Sequence, residues 1–215
     1  MEIDLNDVTL FYRTEGLGDP ALVMHGGLGA DHTAFVNSGF NKLSKQLKLI
    51  YYDHRCNGRS SFPGVETLTH KNLATDAENL RIALGHKNLT VIGHSYGGIT
   101  GLEYALRYPS NLRRLILITT TPSGTALGEA RKIAETRAPH LMDAVDKMLG
   151  GQCATDNEFI ELLTTLAPLY FKDFHLFEKE FSEAAIDMVP NAAAFRHSFS
   201  VLLPKYDLRE KLFNI

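Results

Sequence analysis

Two rhythms of apolar and polar residues divide this 215-residue chain. Up to residue 121, short β-rich runs near 8–14, 21–25, 47–53, 88–93 and 112–119 alternate with stretches of helical apolar spacing near 33–47, 69–84 and 96–108. The stretch at 69–84 carries signals at both ends. Thr69 can cap it, Leu73, Ala77, Leu80 and Leu84 line one face, and Gly85 can close it in a left-handed conformation. Strand alternating with helix predicts an α/β fold with a doubly wound, mostly parallel sheet. Beyond Thr121-Pro122-Ser123-Gly124 the pattern turns helical throughout. Ile133, Leu141, Val145, Met148 and Leu149 mark one amphipathic stretch, interrupted near Pro139, and Phe159, Leu162, Leu163, Leu166 and Tyr170 mark another. Phe174, Phe177 and Phe181 recur at helical spacing, and Phe195 and Phe199 continue the series. Most of these aromatics read as the core of this second unit.

The chemistry concentrates where a strand meets a helix. Asn88-Leu89-Thr90-Val91-Ile92 reads as a buried strand, and Gly93-His94-Ser95-Tyr96-Gly97 follows it as G-x-S-x-G, directly before the 96–108 helix. A serine on so sharp a turn needs small neighbours and would have its Oγ exposed beside the first helix amides, where a developing oxyanion is favoured. The bare pattern also arises by chance in glycine-rich turns; the flanking strand and helix favour a nucleophile at Ser95. Ala21-Leu22-Val23-Met24 likewise runs into His25-Gly26-Gly27-Leu28-Gly29. Such a loop can bring a backbone N–H to a reacting carbonyl oxygen, with Gly27 as one donor and the Tyr96 amide as the other. A plain tight turn is the alternative, whereas no phosphate-binding glycine pattern is present. Gly26, Leu28 and His94 flank these groups and are the expected substrate contacts. A third β-rich run leads into Asp53-His54-Arg55-Cys56-Asn57-Gly58-Arg59-Ser60, where His54 and Arg55 are expected to hold the loop by hydrogen bonds and salt bridges.

HGGLG at 25–29, DHRCNGRS at 53–60 and GHSYGG at 93–98 together resemble the α/β-hydrolase fold superfamily, in the group of proline iminopeptidases and small esterases and lactonases. The resemblance covers residues 5–122 closely and 123–215 only loosely. It implies a core at 1–121, a helical cap at 122–204 and the start of a return to the core at 205–215. It also implies Ser95 as nucleophile and Gly27 and Tyr96 as the oxyanion hole. Cys56 departs from the family pattern D-x-R-G-x-G-x-S, which has glycine there, and would be strained if its φ is positive. The larger departure lies at the end of the chain. The family's acid and histidine follow later strands, whereas strand readings here stop at 112–120, so the chain reads as C-terminally truncated and its base and acid are expected beyond residue 215. Of the nine histidines, His94 abuts the serine but points away, His25 supports the loop, and His140, His175 and His197 fall on cap helices.

Bulk properties narrow the classes. A length of 215 residues, 44% hydrophobic and 22% charged, fits one globular unit with a sizeable core. A net charge of −3 supplies no field for nucleic acid or anionic membrane. No apolar run approaches a spanning helix, and the N-terminus lacks the basic and apolar stretches of a leader, so the expected location is cytoplasmic. Cys56 and Cys153, far apart, read as reduced thiols. No metal or organic cofactor is expected. Residues 122–204 hold 12 acidic against 7 basic side chains, which would suit a substrate amine or merely solvate helix faces.

Two readings follow. In the first, a serine hydrolase cleaves an ester, lactone or amide of a small-molecule acyl substrate through an acyl-enzyme at Ser95. In the second, the chain is a non-catalytic fragment, an inactive paralogue or a hydrolase-fold binding protein. In either case Leu115-Ile116-Leu117-Ile118 would form an uncovered sheet edge prone to self-association.

Overall fold

The computed structural model describes residues 1–36 and 38–215. Six strands form one mixed sheet: β1 (Glu2–Leu5), β2 (Val8–Glu15), β3 (Asp19–Met24), β4 (Leu47–Tyr52), β5 (Leu89–His94) and β6 (Leu112–Ile118). Their order is β1-β2-β4-β3-β5-β6. The pairs β3–β4, β3–β5 and β5–β6 are parallel, and the hairpin strands β1 and β2 join antiparallel. The central strands read as continuous apolar runs because both of their faces are covered. On one face Leu22, Met24, Ile50, Tyr52 and Val91 pack against Ala74, Ala77 and Leu80 of α2 (His70–Ala83) and Tyr104 of α3 (Tyr96–Arg107). On the other, Ala21, Val23, Leu49, Tyr51 and Ile92 meet Phe35 of the short helix α1 (Thr33–Val36), with Phe40 beside it.

α2 forms as its sequence signals. Thr69 Oγ1 accepts the Asn72 amide at 3.1 Å, and Gly85 follows the helix at φ +72°. The expected helix over 33–47 is not continuous. It crosses position 37, which lies outside the described residues; α1 ends at Val36, and a 3₁₀ segment runs from Gly39 to Lys45. The new segment has its own cap, Ser38 Oγ accepting from the Phe40 amide at 3.3 Å. Strand β1 was not expected.

After β6 come α4 (Ala126–Arg137), α5 (Met142–Leu149), α6 (Asp156–Tyr170), α7 (Glu178–Asp187) and α8 (Ala192–His197), the last continued by a π-helical turn at Ser198–Leu202. The stretch interrupted near Pro139 is thus two helices, α4 and α5, joined by a 3₁₀ turn at Pro139–Leu141. Val145, Met148, Phe159, Leu162, Leu166 and Phe195 form the core of this helical layer. The chain then returns beside its point of departure: the Gly124 amide donates to Tyr206 O and the Leu208 amide to Pro122 O, both at 2.8 Å. Tyr206 and Leu208 pack with Leu68, Leu73, Tyr96 and Ile99.

Candidate active site

Glycines bring β5 and α3 so close that Ser95 alone connects them. A Cβ on Gly97 would fall 2.0 Å from Met24 O, one on Gly93 2.5 Å from Gly97 O, and one on Gly98 2.5 Å from the Thr120 side chain. Ser95 therefore takes φ 51° and ψ −118°, a left-handed conformation that costs a non-glycine residue about 1–3 kcal/mol. Its surroundings hold it there. The Ser95 amide donates to Ile118 O at 2.9 Å, and Ser95 O accepts from the Gly98 amide at 3.0 Å and from Thr120 Oγ1 at 2.7 Å. The half-buried side chain does not cap its own helix, leaving the first amides of α3 to whatever binds beside it.

The loop after β3 presses against this turn. A Cβ on Gly26 would lie 2.9 Å from Ser95 Cβ and 2.7 Å from His94 Nδ1. Gly27 has φ +52°, and its carbonyl accepts the Ala30 amide at 2.8 Å. The Gly29 peptide is gripped on both sides: its N–H donates to the buried Asn57 Oδ1, and its C=O accepts the Asn191 amide at 2.8 Å. The structure thus sets Gly26 directly against the turn that carries Ser95 and Tyr96, with Gly27 next along the same loop. Leu28 is fully buried among Tyr96, Ala194 and Leu203, and the His94 ring meets Phe35 edge-on at 5.6 Å. Burial, and then the charge His25 would carry, hold His94 below the usual histidine range.

Among the described residues no histidine or carboxylate is hydrogen-bonded to Ser95 Oγ. His25 Nε2 accepts the His54 amide at 3.1 Å, His70 Nε2 pairs with Tyr96 Oη at 2.9 Å, and His197 Nε2 meets Leu68 O at 3.1 Å. His140 and His175 are exposed. The turn has the geometry to present a hydroxyl beside the first amides of α3.

The loop after β4 behaves partly as expected. Arg55 donates through Nε and Nη2 to Asp76, both at 2.6 Å, and through Nη1 to Asp7 at 3.1 Å. The His54 side chain, in contrast to the expectation, holds nothing by hydrogen bonds. Its ring lies between His25 and Tyr52, at 4.4 and 4.9 Å, with both nitrogens buried and unpartnered among the described residues. Cys56 does take positive φ, +61°, where the family pattern has glycine.

Sequence reasoning missed a buried network beneath the helical layer. Asp53 Oδ1 accepts from the His32 amide at 3.0 Å and from His32 Nδ1 at 2.6 Å, and Oδ2 from the Arg59 amide at 2.8 Å. Asp31 accepts from Arg59 Nη1 at 2.7 Å and from the Val189 amide at 2.9 Å, while Arg59 Nη2 reaches Asp187 O at 3.1 Å. The ligand atoms of Asp31, His32 and Asp53 lie within 4.8 Å of one another, a spacing a metal could use. Here the carboxylates are engaged by N–H donors, so the cluster works as a clamp between sheet and helices. The D-x-R pattern pointed to its Asp53; the reach of Asp31 to Val189 across 158 positions left no local signal.

No helix among the described residues is long and apolar enough to cross a membrane. Residues 20–147 match the model of the alpha/beta hydrolase fold family. The chain is 26% identical to proline iminopeptidase PfmaB of Pestalotiopsis fici over 99% of its own length and 77% of that protein. It is 28% identical to a proline iminopeptidase of Chitinophaga pinensis, over 66% of this chain and half of the other. Among solved structures, the enol-lactonase of Burkholderia xenovorans LB400 superposes with a TM-score of 0.69 at 21% identity, covering 98% of this chain and 75% of that one. A family match over more than half the residues, carried by the sheet that holds Ser95, makes this chain a member of the alpha/beta hydrolase fold family.

Proposed function

We propose that Ser95 is the nucleophile of a serine hydrolase that opens an ester, lactone or amide bond through an acyl-enzyme. The observation that carries this reading is the strained Ser95 backbone between β5 and α3, braced by Ile118, Gly98 and Thr120. Strain maintained so firmly at one half-buried hydroxyl is characteristic of functional positions. The Gly27 and Tyr96 amides are the proposed oxyanion donors, acting on the charge that develops on the carbonyl oxygen. The helices after β6 act as a cap over the acyl group. Relatives named proline iminopeptidase and a structural neighbour named enol-lactonase support amide and lactone substrates equally. A general base and its acid partner have to be delivered to Ser95 from outside the arrangement around it.

A fluorophosphonate probe read by intact mass tests the assignment, with Ser95→Ala as control. The expected result is a single adduct that vanishes in Ser95→Ala. A folded sample that takes no label refutes an activated serine in this chain. It would favour the second reading, a non-catalytic fragment, an inactive paralogue or a hydrolase-fold binding protein.

A further inference from the structure

We propose that the helices after β6 contain a second ligand site, a groove between α4, α5 and α6 that binds a medium-chain aliphatic carboxylate. The groove encloses about 290 Å³, near the lower end of the range for small-molecule sites. It exists because α4 presents Ala130 and Ala134, one turn apart, where larger side chains would fill the space between the helices. Val145, Met148 and Leu166 line it with hydrocarbon. Ile133, also lining it, is 55% exposed, an apolar area that a bound chain would take out of water.

The polar groups give the ligand its chemistry. α4 carries three cationic side chains. Arg131 pairs with Asp146 at 2.7 Å, and Lys132 pairs with Glu129 at 3.2 Å. Arg137, the one that lines the groove, has no ion pair or hydrogen bond among the described residues. Tyr170 also lines the groove. An unpaired guanidinium lining an apolar groove is complementary to a carboxylate on a flexible hydrocarbon tail, because the fork of N–H donors matches both oxygens. The tail fills the channel and the headgroup meets Arg137. None of the lining residues belongs to the Ser95 turn or the His25–Gly29 loop, so the site stands independently of the chemistry proposed for Ser95.

Met148 provides a local reporter. The 215-residue chain labelled with ¹³C-methyl methionine would be titrated with octanoate and, separately, with 1-octanol. Octanoate is expected to shift the Met148 methyl signal saturably. Arg137→Gln is expected to weaken octanoate binding about tenfold, as loss of a charge-assisted hydrogen bond does, while changing octanol binding less than twofold. Ala134→Phe should abolish both. Should Ala134→Phe not fold, the contrast between octanoate and octanol in Arg137→Gln decides alone. The proposal is overturned if octanoate leaves Met148 unmoved, or if Arg137→Gln affects acid and alcohol equally. Loss of octanoate binding in Ser95→Ala would also overturn it, because the ligand would then be sitting at the Ser95 turn.

Discussion

A methyl group is enough to separate the glycines that build the Ser95 turn from those that merely occur in this chain. Gly97→Ala would place a carbon 2.0 Å from Met24 O and 2.6 Å from His25 O, both backbone atoms that cannot step aside. The expected cost is about 2–3 kcal/mol in urea unfolding. Gly128, inside α4 and with nothing within 4 Å of an added Cβ, should instead gain roughly 0.5–1 kcal/mol as alanine. Two buried histidines set a pH dependence. Burial holds His54 well below the usual histidine range, and burial lowers His25 as well, partly offset by Asp53. Both are neutral in the fold, so the unfolded chain takes up protons first as pH drops through about 6.5. Stability is therefore full above that pH and declines below it, by up to about 1.4 kcal/mol per pH unit for each histidine. Unfolding between pH 7.5 and 5.5 should show this decline, and His54→Phe should flatten it; an unchanged slope would mean that His54 is not one of the groups responsible. Of these residues, Ser95 and its glycines were legible because strand, turn and helix follow one another locally. The side chain of His54 leaves no such signal, because its burial comes from contacts with His25 and Tyr52 that no local pattern records.

Elements with their own punctuation were read most closely. α2 was expected at 69–84 and forms at 70–83, because its cap and its stop lie within the same stretch. Gly85→Ala tests the stop alone. With φ +72° and no neighbour within 4 Å, the substitution carries pure backbone strain, expected at about 1 kcal/mol, and Gly85→Asn should cost less. Equal stability of the wild type and both variants would show that the left-handed residue does not terminate the helix. The 33–47 stretch failed because its apolar spacing is compatible with several kinds of turn. Asp31 accepts the Thr33 amide at 2.9 Å and fixes where α1 starts, and Ser38 starts a separate 3₁₀ segment. β1 escaped because four residues carry too little pattern. The two-residue Asn6-Asp7 turn, with Asn6 at φ 62° and Leu5 paired to Val8, was the signal that could have revealed it.

For the molecule as a whole, β6 ends the sheet with one side unpaired among the described residues, and Ile116 and Leu117 remain about two-fifths exposed (42% and 41%). An open, apolar edge strand recruits other strands. The 215-residue chain is accordingly expected to associate in size-exclusion light scattering, and a double substitution to lysine at 116 and 117 should return it to monomer. A monodisperse wild-type monomer would refute this. The edge itself was visible in the sequence; the clamp of Asp31 and Arg59 onto Asp187 and Val189 was not, since it exists only once distant segments meet. The grip on Gly29 has a further consequence, for how such molecules can be recombined. A Cβ there would lie 2.7 Å from Phe195 Cβ, 2.9 Å from Asn191 O and 3.1 Å from Phe159 Cζ, and the carbonyl is already taken by the Asn191 amide. The loop and the helical layer are therefore not interchangeable modules. A chimera carrying a relative's helices on this sheet would keep the loop's shape only if the graft brought a backbone N–H to the place of Asn191 and left the hollow in which position 29 sits.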